Sequence, residues 1–136
     1  MNTKALRVAA FAFACMVSAA LPAGAQTQSS SFTVFFDYKM VNLTLAADDV
    51  AKMAATSDAA KSATEVDIVG HTDTSESPAM KISALRAKSV ARELRRFGLS
   101  KSVHVVMKGV GAKELMTPTG PRVREPMNRY VTITFH

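Results

Sequence analysis

The stretch that decides the fold is Glu65-Val66-Asp67-Ile68-Val69-Gly70-His71-Thr72-Asp73-Thr74-Ser75-Glu76-Ser77-Pro78. Glu65 to Val69 alternates charged and apolar side chains, the period-two pattern of a strand with one buried face, and Gly70 ends the run. Ser77-Pro78 reads as an N-cap followed by Pro in the first helical position. Beyond it Ile82, Leu85, Val90, Leu94 and Phe97 line one face of a long expected helix, which Gly98 stops. Strand, polar turn and amphipathic helix in this order form a βα unit.

A second βα unit precedes the first. Phe32 to Phe36 is a short aromatic and β-branched run, hence a buried strand. Within residues 46–60, Val50, Met53 and Ala54 recur at helical spacing, with Asp48 and Asp49 near the start, where carboxylates favour the helix dipole. After the long helix, Val103 to Met107 reads as a third strand. A loop rich in Gly and Pro spans Gly109 to Pro126, and Tyr130 to Phe135 forms a fourth strand. The order is βαβαβ, long loop, β, and two βα units imply parallel strands with helices packed on the sheet.

In such sheets ligands sit beyond the carboxyl ends of the parallel strands. The loops Asp37-Tyr38-Lys39-Met40 and Gly70-His71-Thr72-Asp73-Thr74 then emerge on one edge, beside the start of the long helix. Asp73 and an Arg of that helix can face each other across a cleft. A carboxylate and a guanidinium held apart suit a zwitterionic amino-acid head group, Asp taking the ammonium and Arg the carboxylate. On the pattern alone a second reading stands level with it: Asp73 caps its own turn and Arg86 lies on the surface.

At 136 residues the chain has room for one compact domain. Its 48% hydrophobic and 21% charged residues exclude a disordered or highly charged tail protein. Lys4 and Arg7, the apolar run Val8 to Leu21, Pro22 and Ala23-Gly24-Ala25 follow the order of a secretory signal peptide. Residues 1–25 are therefore expected to be removed, residues 26–31 to form a flexible Ser-rich leader, and residues 32–136 to form the domain. Cleavage takes Cys15, the one Cys, so no thiol chemistry is expected of the mature chain. It also takes two bases, which lowers the formal charge from +6 to +4. That charge is unevenly placed: residues 26–76 hold 3 bases and 8 acids, residues 77–136 hold 12 bases and 3 acids.

Other chemistries fit poorly. His71, His104 and His136 are scattered, and no third ligand is spaced to join His71 and Asp73, so neither a metal nor another cofactor is expected. Asp73-Thr74-Ser75 lacks the Gly and the paired second carboxylate of an aspartic protease site. No Gly-rich phosphate loop is complete. Lys88, Arg92, Arg95 and Arg96 form a basic face, read either as the solvated side of the helix or as a surface for an anionic wall polymer or lipopolysaccharide. No aromatics interleave with these bases for base stacking, so nucleic acid is not an expected partner.

Val34-Phe35-Phe36-Asp37, Leu43-Thr44, Val69-Gly70-His71-Thr72-Asp73-Thr74, Leu85-Arg86-Ala87 with Val90 and Leu94, and Val123-Arg124-Glu125-Pro126-Met127-Asn128-Arg129 resemble the successive signatures of the OmpA-like C-terminal domain family. The resemblance spans Phe32 to His136. It implies an α+β, OmpA-like βαβαββ domain with a mixed four-stranded sheet and two main helices packed on it. It also implies a periplasmic, non-enzymatic module, associated with the cell wall or outer membrane. Such a module binds peptidoglycan by recognising the diaminopimelate of the stem peptide, with outer-membrane proteins as possible further partners. By the same resemblance Asp73 and Arg86 hold the diaminopimelate head group and the Thr72 loop closes around its carboxylate. Arg129 is a supporting cation, and Asp37 and Asn128 complete the set.

The chain departs from the family pattern in this region. Glu76 stands where the family usually has Gly, no Asn precedes Lys81, the segment from Asp73 to Arg86 is about two residues short, and Tyr130 replaces a second Arg. These departures motivate an alternative: a periplasmic protein-interaction module on the same fold with a degenerate peptidoglycan pocket.

Overall fold

The computed structural model describes residues 30–136, so the expected signal segment and residues 26–29 of the leader lie outside the described residues. Ser30 and Ser31 do not belong to a leader. They open strand β1 (Ser30–Phe35), where Ser30 pairs with Phe135 and Ser31 with Thr134. There follow helices α1 (Leu45–Thr56) and α2 (Asp58–Ser62), strand β2 (Glu65–Gly70), helix α3 (Ala79–Arg96), strand β3 (His104–Gly109), a single 3₁₀ turn (Pro126–Asn128) and strand β4 (Tyr130–Phe135).

The sheet is mixed, in the order β1-β4-β2-β3. Strand β2 pairs parallel with β3, whereas β4 inserts between β1 and β2 and runs antiparallel to both. Strands β1 and β2 therefore point the same way without touching, and their carboxyl ends share one edge as expected. Helices cover one face of the sheet, where Val34, Val66, Ile68, Val90, Leu94, Val131 and Ile133 are wholly excluded from solvent. On the opposite face the cross-strand row Thr33, Thr132, Val69 and Lys108 is largely polar.

The first helical region is two helices. Ser57 takes extended backbone, caps α1 with its hydroxyl on the Ala54 carbonyl at 2.7 Å, and accepts from the Ala60 N–H at 3.1 Å to start α2. The buried face of α1 is Ala47, Ala51, Ala54 and Ala55, while Met53 points outward. Alanine brings this helix close to the sheet.

Helix α3 differs from its apolar pattern at both the start and the face. Ser77 caps nothing; Pro78 is itself the N-cap, in extended backbone, and its carbonyl takes the first helical bond from the Ile82 N–H at 3.1 Å. The buried face runs through Ile82, Arg86, Val90 and Leu94, and Leu85 is exposed. Gly98 does end the helix: at φ +105° it lets the Leu99 N–H reach the Leu94 carbonyl at 2.9 Å, a Schellman closure. Gly70 and its register partner Gly109 form the floor under α3. A Cβ on Gly70 would lie 2.0 Å from the Ser83 carbonyl oxygen, and one on Gly109 2.4 Å from the Ala84 nitrogen. The first half of α3 thus rests on bare backbone, next to the strand ends.

Candidate functional site

Arg86 is carried into this corner by the close helix–sheet approach, and its side chain is fully buried. All five guanidinium N–H directions are used. Nε donates to the Met40 carbonyl at 2.9 Å, Nη1 to the His71 carbonyl at 3.0 Å, and Nη2 to the Asp37 carbonyl at 3.1 Å. The remaining two form a bidentate pair with Glu76, Nη1 to Oε2 at 2.7 Å and Nη2 to Oε1 at 2.6 Å. The Phe36 ring lies beside the guanidinium, 5.2 Å from its carbon to the ring centroid. Arg86 is therefore not the surface residue of the second sequence reading.

Glu76 is as buried as its partner. Oε1 also accepts from the Lys39 N–H at 2.6 Å, and Oε2 from the Asp73 N–H at 3.3 Å. Four donors from three segments thus converge on one carboxylate: α3, the loop after β1 and the loop after β2.

Asp73 sits three residues earlier, fully buried. Its Oδ1 accepts from the Ser75 N–H (2.9 Å), the Ser75 hydroxyl (2.8 Å) and the Glu76 N–H (3.0 Å), which fixes the turn. Its Oδ2 accepts from Arg129 Nη1 at 3.0 Å and from the Glu125 N–H at 3.2 Å. Burial pushes this carboxyl upward. The Ser75 hydroxyl, the Arg129 guanidinium and the Ser75 and Glu125 N–H groups outweigh it and hold the group below the usual carboxylate range. Asp73 does cap its turn, and it is ion-paired at the same time.

The remaining expected site residues divide. Arg129 bonds the Phe36 carbonyl at 3.0 Å besides Asp73 and lines a cavity of about 230 Å³ shared with Phe35, Phe36, Asp37, Pro126 and Met127. Asp37 belongs to the site twice, through its carbonyl on Arg86 and its place on that cavity. The Thr72 N–H is spent on the Gly111 carbonyl at 3.0 Å, and its buried hydroxyl has no protein partner. The loop N–H aimed at a carboxylate is instead that of Asp73. Asn128 lies elsewhere: its amide clamps the Thr117 backbone at 2.8 and 2.7 Å and pins the long loop.

Glu76 is the residue whose role the sequence reading missed. Its signal was available, a carboxylate three residues after Asp73 and ten before Arg86. The basic face of α3 is partly engaged within the fold. Arg95 donates to the Leu99, Ser100 and Val103 carbonyls, Arg92 pairs with Glu93, and Arg96 pairs with Glu93 and Asp48. His71 is buried, with its ring stacked on Tyr130 at 3.9 Å between centroids.

A model described as the OmpA family matches residues 35–129. An outer membrane protein of Gluconacetobacter diazotrophicus is 34% identical over 120 residues, covering 82% of this chain and 32% of that protein. The chain thus spans about a third of this relative's length. Among solved structures, the OmpA-like domain of FopA1 from Francisella tularensis has 18% identity and a TM-score of 0.67, over 78% of this chain and 71% of that one. The peptidoglycan-associated lipoprotein of Burkholderia pseudomallei has 16% identity and a TM-score of 0.63, over 77% and 90%. The type VI secretion (T6SS) cell wall anchor of Pseudomonas aeruginosa has 21% identity and a TM-score of 0.62, over 79% and 80%. At these identities the structural likeness establishes the fold.

Proposed function

Since this chain belongs to the OmpA family, we propose that it is a non-catalytic peptidoglycan-binding domain of the periplasm that recognises the diaminopimelate of the stem peptide. The observation that carries this reading is the convergence of the β1 loop, the β2 loop and α3 on one guanidinium and one carboxylate. Arg86 and Asp73 both contact Glu76 Oε2 or its turn, so an amino-acid head group spanning them fits one corner of the fold. A cavity bordered by Asp37, Met127 and Arg129 lies beside this corner, where Arg129 bonds Asp73 and the Asp37 carbonyl bonds Arg86. The names of two neighbours, a peptidoglycan-associated lipoprotein and a cell wall anchor, agree with this reading.

The test is a titration of a diaminopimelate-containing stem peptide against its Lys-containing analogue, alongside retention on purified sacculi. Only the former peptide presents a free amino-acid head group at the side-chain end. Preferential binding of it, competing with sacculus retention, is expected. Equal binding of the two peptides would remove the head-group assignment.

One observation favours a second reading. Arg86 and Asp73 are already paired within the chain, to Glu76 and Arg129, as in a protein-interaction module whose wall pocket has closed. Failure to bind sacculi together with a stable partner captured by crosslinking is the result that selects it.

A further inference from the structure

We propose that Arg86, with the backbone N–H groups of Lys39 and Asp73, forms a preorganised carboxylate receptor that Glu76 occupies as an internal ligand. An external carboxylate then enters only by displacing the Glu76 side chain. This rests on the head-group reading above for the identity of the physiological carboxylate, but not for the existence of the receptor.

Three features of the geometry carry it. The guanidinium is held independently of Glu76: three main-chain carbonyls, of Asp37, Met40 and His71, fix Nη2, Nε and Nη1 in place. Its two remaining donor directions face one point, and a planar guanidinium matches a carboxylate there bidentately. The two further donors are main-chain N–H groups of Lys39 and Asp73, the latter in a turn that the Asp73 carboxylate fixes without the Glu76 side chain, so removing that side chain leaves the receptor's walls standing.

Local strain points to the same place. Lys39 is one of two non-glycine residues at positive φ among the described residues, at +56°, a conformation that L residues adopt at a cost. Its N–H makes the 2.6 Å bond to Glu76 Oε1. Backbone strain kept where a main-chain donor meets a buried anion fits a loop shaped around a carboxylate.

The occupant, by contrast, is a single side chain of the turn that leads into α3. Glu76 lies in the turn between Asp73 and the start of α3, outside any helix or strand. Its carboxylate reaches the guanidinium from this turn, while the guanidinium itself is carried by α3 and is held by carbonyls of the loops after β1 and β2. Leaving a buried guanidinium without an anion is costly, and the chain meets that demand with its own side chain. Affinity for an external carboxylate is then lowered by the fraction of molecules in which Glu76 has moved out.

The experiment empties the receptor and refills it. In purified Glu76→Ala protein, sodium acetate should raise the melting temperature with saturation, as a ligand that binds only the folded state does. Sodium chloride at matched ionic strength should not, and neither salt should do so for the parent protein. As a second variant, Glu76→Gln keeps the side-chain volume and weakens the internal competitor. It should bind free meso-diaminopimelate at least about tenfold more tightly than the parent, the change expected for about 1.4 kcal/mol of relieved competition.

No saturable acetate effect on Glu76→Ala, or equal diaminopimelate affinity for Glu76→Gln and parent, overturns the proposal. Acetate rescue upholds the receptor even where sacculi fail to bind, in which case it is the wall-binding reading that falls.

Discussion

Arg86 and Glu76 face each other in a bidentate pair, 2.7 and 2.6 Å, with both side chains wholly out of solvent. The two partners are not equivalent. Arg86 also serves three carbonyls, whereas Glu76 is otherwise held by two N–H groups. Removing one partner of a buried pair costs about 3–5 kcal/mol because the other charge is left uncompensated. Arg86→Met should therefore destabilise by at least that amount, since it also orphans three carbonyls, and Glu76→Gln should cost less. Urea unfolding of the two variants decides this. Equal losses would mean that the carbonyl contacts carry no weight.

The contact of α3 with the sheet at Gly70 makes a steric prediction. A Cβ there would sit 2.0 Å from the Ser83 carbonyl oxygen, which belongs to the helix backbone and cannot rotate away. Gly70→Ala must push α3 off β2, and overpacking of this kind costs about 1–3 kcal/mol or more. It should also loosen Arg86, which hangs from the same helix one turn on. Thermal unfolding together with amide exchange at Arg86 and Ala87 checks this. An unchanged melting temperature would show that the approach is less tight than the geometry states.

These two sites show why some of the fold was legible in the sequence and some was not. The alternation from Glu65 to Val69, the Gly98 stop and the final strand from Tyr130 to Phe135 are local signals, and each element appears where expected. The placement of β4 between β1 and β2 is not local, because nothing in Tyr130 to Phe135 names its partners. On α3 the apolar periodicity counted Leu85 toward the core, yet the buried residue is its neighbour Arg86. A guanidinium reads as surface until its acceptors are known, and three of them are main-chain carbonyls invisible to side-chain pattern. Asp73 is singled out by its motif as a candidate, but that its carboxylate pairs with Arg129, 56 positions away, follows only from the fold. Glu76 was noticed as a departure from the family pattern; that it lands on Arg86 follows only from the fold.

Asn128 fits a structural clamp better than a ligand contact. Its side chain closes two hydrogen bonds on the Thr117 backbone, and it is fully buried. Asn128→Ala leaves the half-buried Thr117 N–H and carbonyl without that partner, at a cost toward the lower end of the about 1–3 kcal/mol of a buried group. The expected result is lower stability with faster amide exchange at Thr117, while free diaminopimelate affinity is unchanged. A variant with native stability but lost ligand binding would return Asn128 to the binding site.

Acid should weaken the domain in two separable steps. Burial lowers the His71 imidazole below its usual value, against opposing contributions from the Glu114 carboxylate and carbonyl. Below about pH 6.5 the unfolded chain takes up a proton at His71 that the folded chain resists, so stability falls as pH drops from there toward the folded value. The Asp73 carboxyl shifts the other way relative to its charge: it is held ionised by Ser75 and Arg129. Its stabilisation is complete above the unfolded value of about 3.9 and is lost as pH falls through its lower folded value. In urea midpoints measured against pH, His71→Phe, which keeps a ring against Tyr130, should flatten the first limb alone. Asp73→Asn should lower stability at neutral pH and flatten the second limb alone. Parallel curves for parent and His71→Phe between about pH 7 and pH 5 would show that the first limb belongs to another group.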